Sequence, residues 1–92
     1  MSEKSISINP ALWLVRMQGV PLESQGALML LICTCQFQGG PIAGDETSLK
    51  RSLGVSNVRT VHRALGPLLE AGLITKLEGD RILAEPPRFP AG

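Results

Sequence analysis

Leu53-Gly54-Val55-Ser56 is the stretch of sequence that decides the fold. The segment before it has helical character: Asp45 suits the N-cap of a helix that runs to Leu53. Gly54 suits the residue just past the C-terminus of that helix, where a left-handed conformation is common. Ser56 suits the N-cap of a second helix. Two helices joined by a tight glycine-containing turn are typical of a helix-turn-helix.

The segment after the turn has the periodicity of an amphipathic helix. Its apolar positions recur every three or four residues, at Val58, Val61, Leu65 and either Leu68 or Leu69. That stripe leaves four polar residues on the outer faces: Asn57, Arg59, Thr60 and Arg63. Pro67 removes one intrahelical hydrogen bond, so we expect it to kink or divide this helix before it closes at Ala71-Gly72.

A β-hairpin is predicted directly after the second helix. Leu73–Leu77 is strand-like, Glu78-Gly79-Asp80 is a three-residue turn, and Arg81–Ala84 is the return strand. A helix-turn-helix followed by a hairpin indicates a winged helix-turn-helix. The expected fold class is therefore mainly α with a small β-hairpin, an α+β protein.

Two helices are predicted upstream of the turn. Pro10 opens a short helix over Ala11–Met17, for which a strand is the alternative, and Trp13 is its expected core anchor. Leu22 begins a longer helix that ends at Gly39-Gly40-Pro41. This second helix is apolar round most of its circumference, so we expect it to be central to the core. Ile42-Ala43-Gly44 is predicted to be a connector.

The length of 92 residues fits one domain, which we place at residues 1–85. Ile6 and Ile8 alternate with serines and could form a very short strand near its start. Residues 86–92 contain three prolines and are predicted to be an extended tail or the start of a linker. Aromatic residues are only 3% of the chain, which argues against an RNA-recognition sheet or a single-strand-binding groove, where bases stack on rings.

The cysteines and the apolar runs predict a cytoplasmic protein. Cys33 and Cys35 are predicted to be two small buried side chains that do not form a disulfide. The longest apolar run, Ala27 to Cys35, is about half as long as a membrane span, and no signal peptide is visible. With one histidine and no phosphate-binding glycine loop, we expect no catalytic centre, no metal site and no cofactor.

The charge of the chain is concentrated around the predicted turn. The net charge of the whole chain is only +1. The stretch between Thr47 and Glu70 contains Lys50, Arg51, Arg59 and Arg63 and no acidic residue, so its charge is +4 and that of the remaining chain is −3. Positive charge on a helix pair is the electrostatic pattern of a protein that binds double-stranded DNA.

Nine residues are candidates for DNA contact. Arg59 and Arg63 share one helix face, and the neighbouring Ser56, Asn57 and Thr60 complete a reading face for base edges. Lys50 and Arg51 are expected to hold phosphates. Lys76 and Arg81 in the hairpin are weaker candidates, because Glu78 and Asp80 at its tip would repel a phosphate.

The stretch from Pro21 to Arg63 resembles a family of phage and bacterial winged-helix domains found in replication-initiation and prophage proteins. The resemblance rests on five blocks: Gln25-Gly26-Ala27-Leu28 with Leu30-Leu31, Gly39-Gly40-Pro41-Ile42, Asp45-Glu46, Leu49, and Leu53-Gly54-Val55-Ser56. It implies a winged-helix fold and binding of double-stranded DNA, in replication initiation or transcriptional control.

A second hypothesis is a protein-interaction module that keeps the winged-helix shape without using DNA. The near-neutral charge, the acidic hairpin tip and the abundant apolar residues favour it. Such a phage protein could inhibit a host defence or replication protein. A homodimer through the first segment or the long apolar helix is a further expectation.

Overall fold

The computed structural model describes residues 8–87, which form four helices and one three-stranded antiparallel sheet. This confirms the mainly helical α+β class. The strand predicted at Ile6 and residues 88–92 of the predicted tail lie outside the described residues. In chain order the elements are α1 (Pro10–Arg16), α2 (Leu22–Gln38), β1 (Ile42–Ala43), α3 (Glu46–Leu53), α4 (Val58–Glu70), β2 (Ile74–Leu77) and β3 (Arg81–Ala84).

The segment that begins at Pro10 is a helix, as predicted, and not the alternative strand. Asn9 caps α1, because its side-chain oxygen accepts a hydrogen bond from the Leu12 backbone N–H at 3.1 Å. Pro10 stands at the start of the helix, where its missing N–H removes no intrahelical bond. Leu12 is buried, and Trp13 packs against the core as expected.

Helix α2 is the centre of the core and packs against α3, α4 and β3. Leu28, Leu31 and Ile32 are fully buried on it. Near its C-terminus, the buried Cys35 receives a hydrogen bond from the Ala84 N–H, with the nitrogen 3.4 Å from Sγ, and so joins α2 to β3. None of the helices within residues 8–87 combines the length and the apolar character needed to cross a membrane.

The prediction for the two cysteines was half wrong. Cys35 is buried and both thiols are free, but Cys33 is exposed. Side chains two positions apart on a helix point about 200° away from each other, so a helix that buries Cys35 turns Cys33 outward.

Ile42 and Ala43 form a strand, so the prediction of a connector was wrong. β1 pairs antiparallel with β3, which lies between β1 and β2 in the sheet. Gly44 then donates its N–H to the Asp80 carbonyl at 2.6 Å. A Cβ at Gly44 would lie 3.0 Å from Ile82 Cγ1, so a glycine suits this close approach. β1 ties the hairpin to the helical part of the chain.

Helix α4 runs without a break from Val58 to Glu70, so of the two predicted effects of Pro67, a kink or a division, the division was wrong. A proline ring normally clashes with the Cβ of the residue before it when that residue is helical. Here that residue is Gly66, which has no Cβ. The carbonyl that loses its partner belongs to Arg63, an exposed residue on the side of the helix opposite the core.

Candidate nucleic-acid interface

The turn between α3 and α4 is closed by its own backbone. Gly54 is left-handed, with φ of 69°, and donates its N–H to the Arg51 carbonyl at 3.3 Å. The Val55 N–H reaches the Lys50 carbonyl at 3.0 Å. These two bonds form a Schellman motif, which satisfies the last carbonyls of α3 and fixes the direction in which the chain leaves the helix. The predicted tight turn is confirmed.

Asn57 caps α4, so the prediction that Ser56 is the N-cap was wrong. The Asn57 side-chain oxygen accepts a hydrogen bond from the Arg59 backbone N–H at 2.8 Å. Ser56 is exposed one residue earlier. Because recognition of an adenine edge uses both the oxygen and the amide group of an asparagine, a base contact by Asn57 would compete with the cap.

The outer face of α4 carries the two predicted arginines. Val61, Ala64, Leu65 and Leu68 are buried on the opposite side of the helix. Arg59 and Arg63 are both exposed and, being four residues apart, lie one above the other. Glu70 follows on the same face at the end of the helix.

Arg63 is paired with Glu23 of the first turn of α2. Arg63 Nε lies 2.6 Å from Glu23 Oε1, and Arg63 Nη2 lies 3.2 Å from Glu23 Oε2. This two-pronged contact raises the pKa of Arg63, first through the hydrogen bonds and then through the charge of Glu23. The two residues are 40 positions apart in the chain. The stretch around Arg63 contains no acidic residue in sequence, but in the fold an acidic residue lies next to it.

A second acidic group lies at the start of α3. His62 Nε2 is 3.4 Å from Glu46 Oε1, which links α4 to the first turn of α3. Asp45 caps α3 by accepting the Ser48 backbone N–H at 3.1 Å. Hydrogen bonds from the Ser48 side chain and backbone lower the pKa of Asp45. On the helix pair, the positive surface is therefore limited to the other end of α3 and the outer face of α4.

Of the four predicted cations on the helix pair, three have no carboxylate partner among residues 8–87: Lys50, Arg51 and Arg59. Arg51 and Arg59 are exposed, and Lys50 is half-buried. Lys50 and Arg51 stand in the last turn of α3, where positive charge also stabilises the helix dipole. The tight turn brings these cations close in the fold to the N-terminus of α4.

Lys76 and Arg81 are both exposed but lie on opposite faces of the hairpin. In the strand register Lys76 pairs with Ile82, whereas Arg81 pairs with Leu77. Side chains of directly paired residues lie on one face and successive residues alternate between faces. Arg81 also donates from Nε to the Glu78 carbonyl at 3.2 Å. A DNA duplex that lies against one face of the sheet therefore cannot contact both cations.

Thr60 turns away from the outer arginines and lines an apolar groove. The groove has a volume of about 260 Å³ and lies between α2 and the turn. Thr60 is half-buried there. The other residues that line it are Glu23, Gly26, Ala27, Leu30, Leu53, Val55 and Ala64. A contact of Thr60 with a base would thus be at the margin of the reading face.

Within residues 8–87 no three histidine, cysteine, aspartate or glutamate side chains are grouped closely enough to hold a metal ion.

The chain matches no protein-family model, no curated protein and no solved structure. The geometry of the residues themselves therefore has to carry the functional argument.

Proposed function

We propose that the chain is a small winged helix-turn-helix protein that binds double-stranded DNA. The support is the order of its elements: α3, the Gly54 turn and α4 form a helix pair, and the hairpin β2–β3 follows α4 directly. An α-helix fits the major groove, and the preceding helix of such a pair crosses the phosphate backbone. In this proposal α4 enters the groove and the hairpin is the wing.

The observation that carries the proposal is the group of three unpaired cations around the turn. Lys50 and Arg51 belong to the helix that would cross the backbone, and Arg59 to the first turns of the helix that would enter the groove. Their positions match the two tasks of such a helix pair: phosphate contacts fix the register and base contacts read the sequence. Ser56, exposed beside the start of α4, adds a hydroxyl donor for a phosphate.

The pairing of Arg63 with Glu23 sets the expected strength of binding. Arg63 stays in the reading face, but its charge is offset before any DNA arrives. Lys76 and Arg81 can each reach DNA from one face of the wing only. We therefore expect modest, salt-sensitive binding, in a protein of phage or prophage type that acts in replication initiation or transcriptional control.

The test is fluorescence anisotropy with a random duplex over a range of salt concentrations. We expect all three cations, Arg59 included, to contact phosphates of a random duplex, so log K should fall with log salt at a slope of about −2.7, because each contact contributes about 0.9. Each of the variants Lys50→Gln, Arg51→Gln and Arg59→Gln should flatten the slope by about 0.9. The matched control, Arg16→Gln in α1, should leave the slope unchanged. Absence of binding at low salt would overturn the proposal.

A protein partner is the second candidate function, and one observation favours it. Helix α2 exposes large apolar side chains, with Leu22 83% and Phe37 82% accessible. Exposed apolar surface of this kind marks protein interaction sites more often than DNA interfaces, which are polar and basic. If the duplex is not bound at low salt, a winged-helix module that binds and inhibits a host protein becomes the leading proposal.

A further inference from the structure

Helix α2 carries an apolar strip along the side that faces away from the core. Its six residues, here called the α2 ridge, are Leu22, Gly26, Met29, Leu30, Cys33 and Phe37. Their spacing of three or four residues places them on one helix face. The six ridge residues are uncharged, and the one charged residue of α2, Glu23, lies beside the ridge and is paired with Arg63. A surface helix normally places polar and charged residues on its exposed side, whereas α2 places large apolar side chains there.

The α2 ridge lies between two apolar grooves. On one side, Met29 lines an open groove of about 400 Å³ with Ile8, Pro10, Trp13 and Leu14. On the other side, Gly26 and Leu30 line the groove of about 260 Å³ beside the helix-pair turn. Helices pack by inserting the ridge of one into the groove of another. The same surface therefore offers both the ridge and the grooves that such packing requires.

We propose that the α2 ridge is the interface of a homodimer, in which two copies of α2 pack across a twofold axis. In a twofold interface each surface meets its own copy. A charged surface would then repel itself, whereas the charge-free ridge does not. Gly26 has no side chain and Cys33 has a small one, so the two helix backbones can approach closely there. This inference stands apart from DNA binding, since none of the three unpaired cations belongs to the ridge.

The exposed area is close to what a stable dimer needs. Leu22, Leu30 and Phe37 are 83%, 47% and 82% accessible, and Leu14 beside them is 70% accessible. A phenylalanine side chain has on the order of 150–250 Å² of surface, and with the lower end of that range for each leucine these four expose about 450 Å² per chain. Specific interfaces bury about 600 Å² per partner at the lower end of their range. Gly26, Met29 and Cys33 add to that area. The surface is therefore large enough for a second copy of the chain to bind there.

Sedimentation velocity over a range of concentrations tests the proposal. We expect the wild-type chain of 9.8 kDa to form a species of twice that mass, with a dissociation constant below about 100 μM. Leu30→Lys and Phe37→Lys each place a charge against its own copy and should weaken the dimer at least about tenfold. The matched control, Leu69→Lys on α4, should leave the dimer unchanged. Circular dichroism checks that each variant folds.

Cys33 provides an independent readout, because its thiol is exposed on the ridge while that of Cys35 is buried. Maleimide should label Cys33 rapidly in dilute protein and at least about tenfold more slowly above the dissociation constant, as dimer formation covers the thiol. In Phe37→Lys the labelling rate should not depend on protein concentration. A wild-type chain that stays monomeric at about 500 μM, or lysine variants that dimerise as tightly as wild type, would overturn the proposal.

Discussion

Replacement of Glu23 by glutamine should strengthen DNA binding, although Glu23 lies on a helix that the proposal does not place in the groove. Glu23 holds Arg63 through two contacts of 2.6 and 3.2 Å, and both side chains are partly open to solvent. Glutamine keeps the shape of the side chain but removes its charge. Arg63 would then become a fourth free cation beside Lys50, Arg51 and Arg59.

The expected change is a steeper dependence of affinity on salt. The slope of log K against log salt should move from about −2.7 to about −3.6, because each phosphate contact contributes about 0.9. A fourfold reduction in salt should therefore raise the affinity of the Glu23→Gln variant about 150-fold, against about 40-fold for the wild type. Anisotropy titrations of one labelled duplex between about 50 and 200 mM salt can separate these two values.

Two further variants test whether the release of Arg63 causes the steeper slope. Glu46→Gln removes the same charge, but its partner is His62, so the variant releases no arginine and should leave the slope near the wild-type value. Glu23→Gln combined with Arg63→Gln should return the slope to about −2.7. A slope that steepens equally in Glu23→Gln and Glu46→Gln would mean that net charge, not the release of Arg63, controls binding.

Three further predictions concern stability. Ser24 is fully buried and its hydroxyl has no hydrogen-bond partner among residues 8–87. Ser24→Ala should therefore stabilise the fold by about 1–2 kcal/mol. If circular dichroism gives the variant a lower thermal midpoint than the wild type, the Ser24 hydroxyl has a hydrogen-bond partner. In urea denaturation, Asn57→Ala should lower the free energy of unfolding by about 1 kcal/mol and Ser56→Ala by less than about 0.5 kcal/mol. The opposite order would show that Ser56 is the N-cap residue of α4. The pKa of Asp45 is lowered below 3.8, so its contribution to stability is present above that pH and is lost as the pH falls through the lower folded value. Asp45→Asn keeps a capping oxygen but cannot titrate, so its thermal midpoint should fall less than that of the wild type on acidification below pH 3.8; equal losses would contradict the role of Asp45.

The features that the sequence predicts correctly are those signalled within about four residues. Gly54 ends α3, Asp45 begins it, and Glu78-Gly79-Asp80 turns the hairpin, because each acts on backbone groups of its close neighbours. The choice between two adjacent capping residues, Ser56 and Asn57, could not be made in this way. Both side chains can cap, and the helix start that selects between them depends on packing.

The features that the sequence misses depend on residues far apart in the chain. β1 has only two residues and becomes a strand by pairing with β3, about 40 residues later. The Glu23–Arg63 contact has the same separation, so a count of charges along the chain overstates the free positive charge at the turn. The exposure of Cys33 was hidden for another reason: a helix that is apolar round most of its circumference has no clear polar stripe to show which side faces out.

The weak positive face and the uncovered apolar face point to one arrangement. The helix pair of a single chain offers three unpaired cations, which is few for a protein that must hold DNA at physiological salt. Two chains joined through the α2 ridge would offer six, and if both contacted one duplex the salt slope would approach about −5.4. Phe37→Lys should then return the slope to about −2.7 although it alters no cation of the DNA face. If the dimer forms and the slope stays near −2.7 in both proteins, only one copy contacts the duplex. If the slope is steep and Phe37→Lys leaves it unchanged, further cations of the same chain must supply the additional contacts.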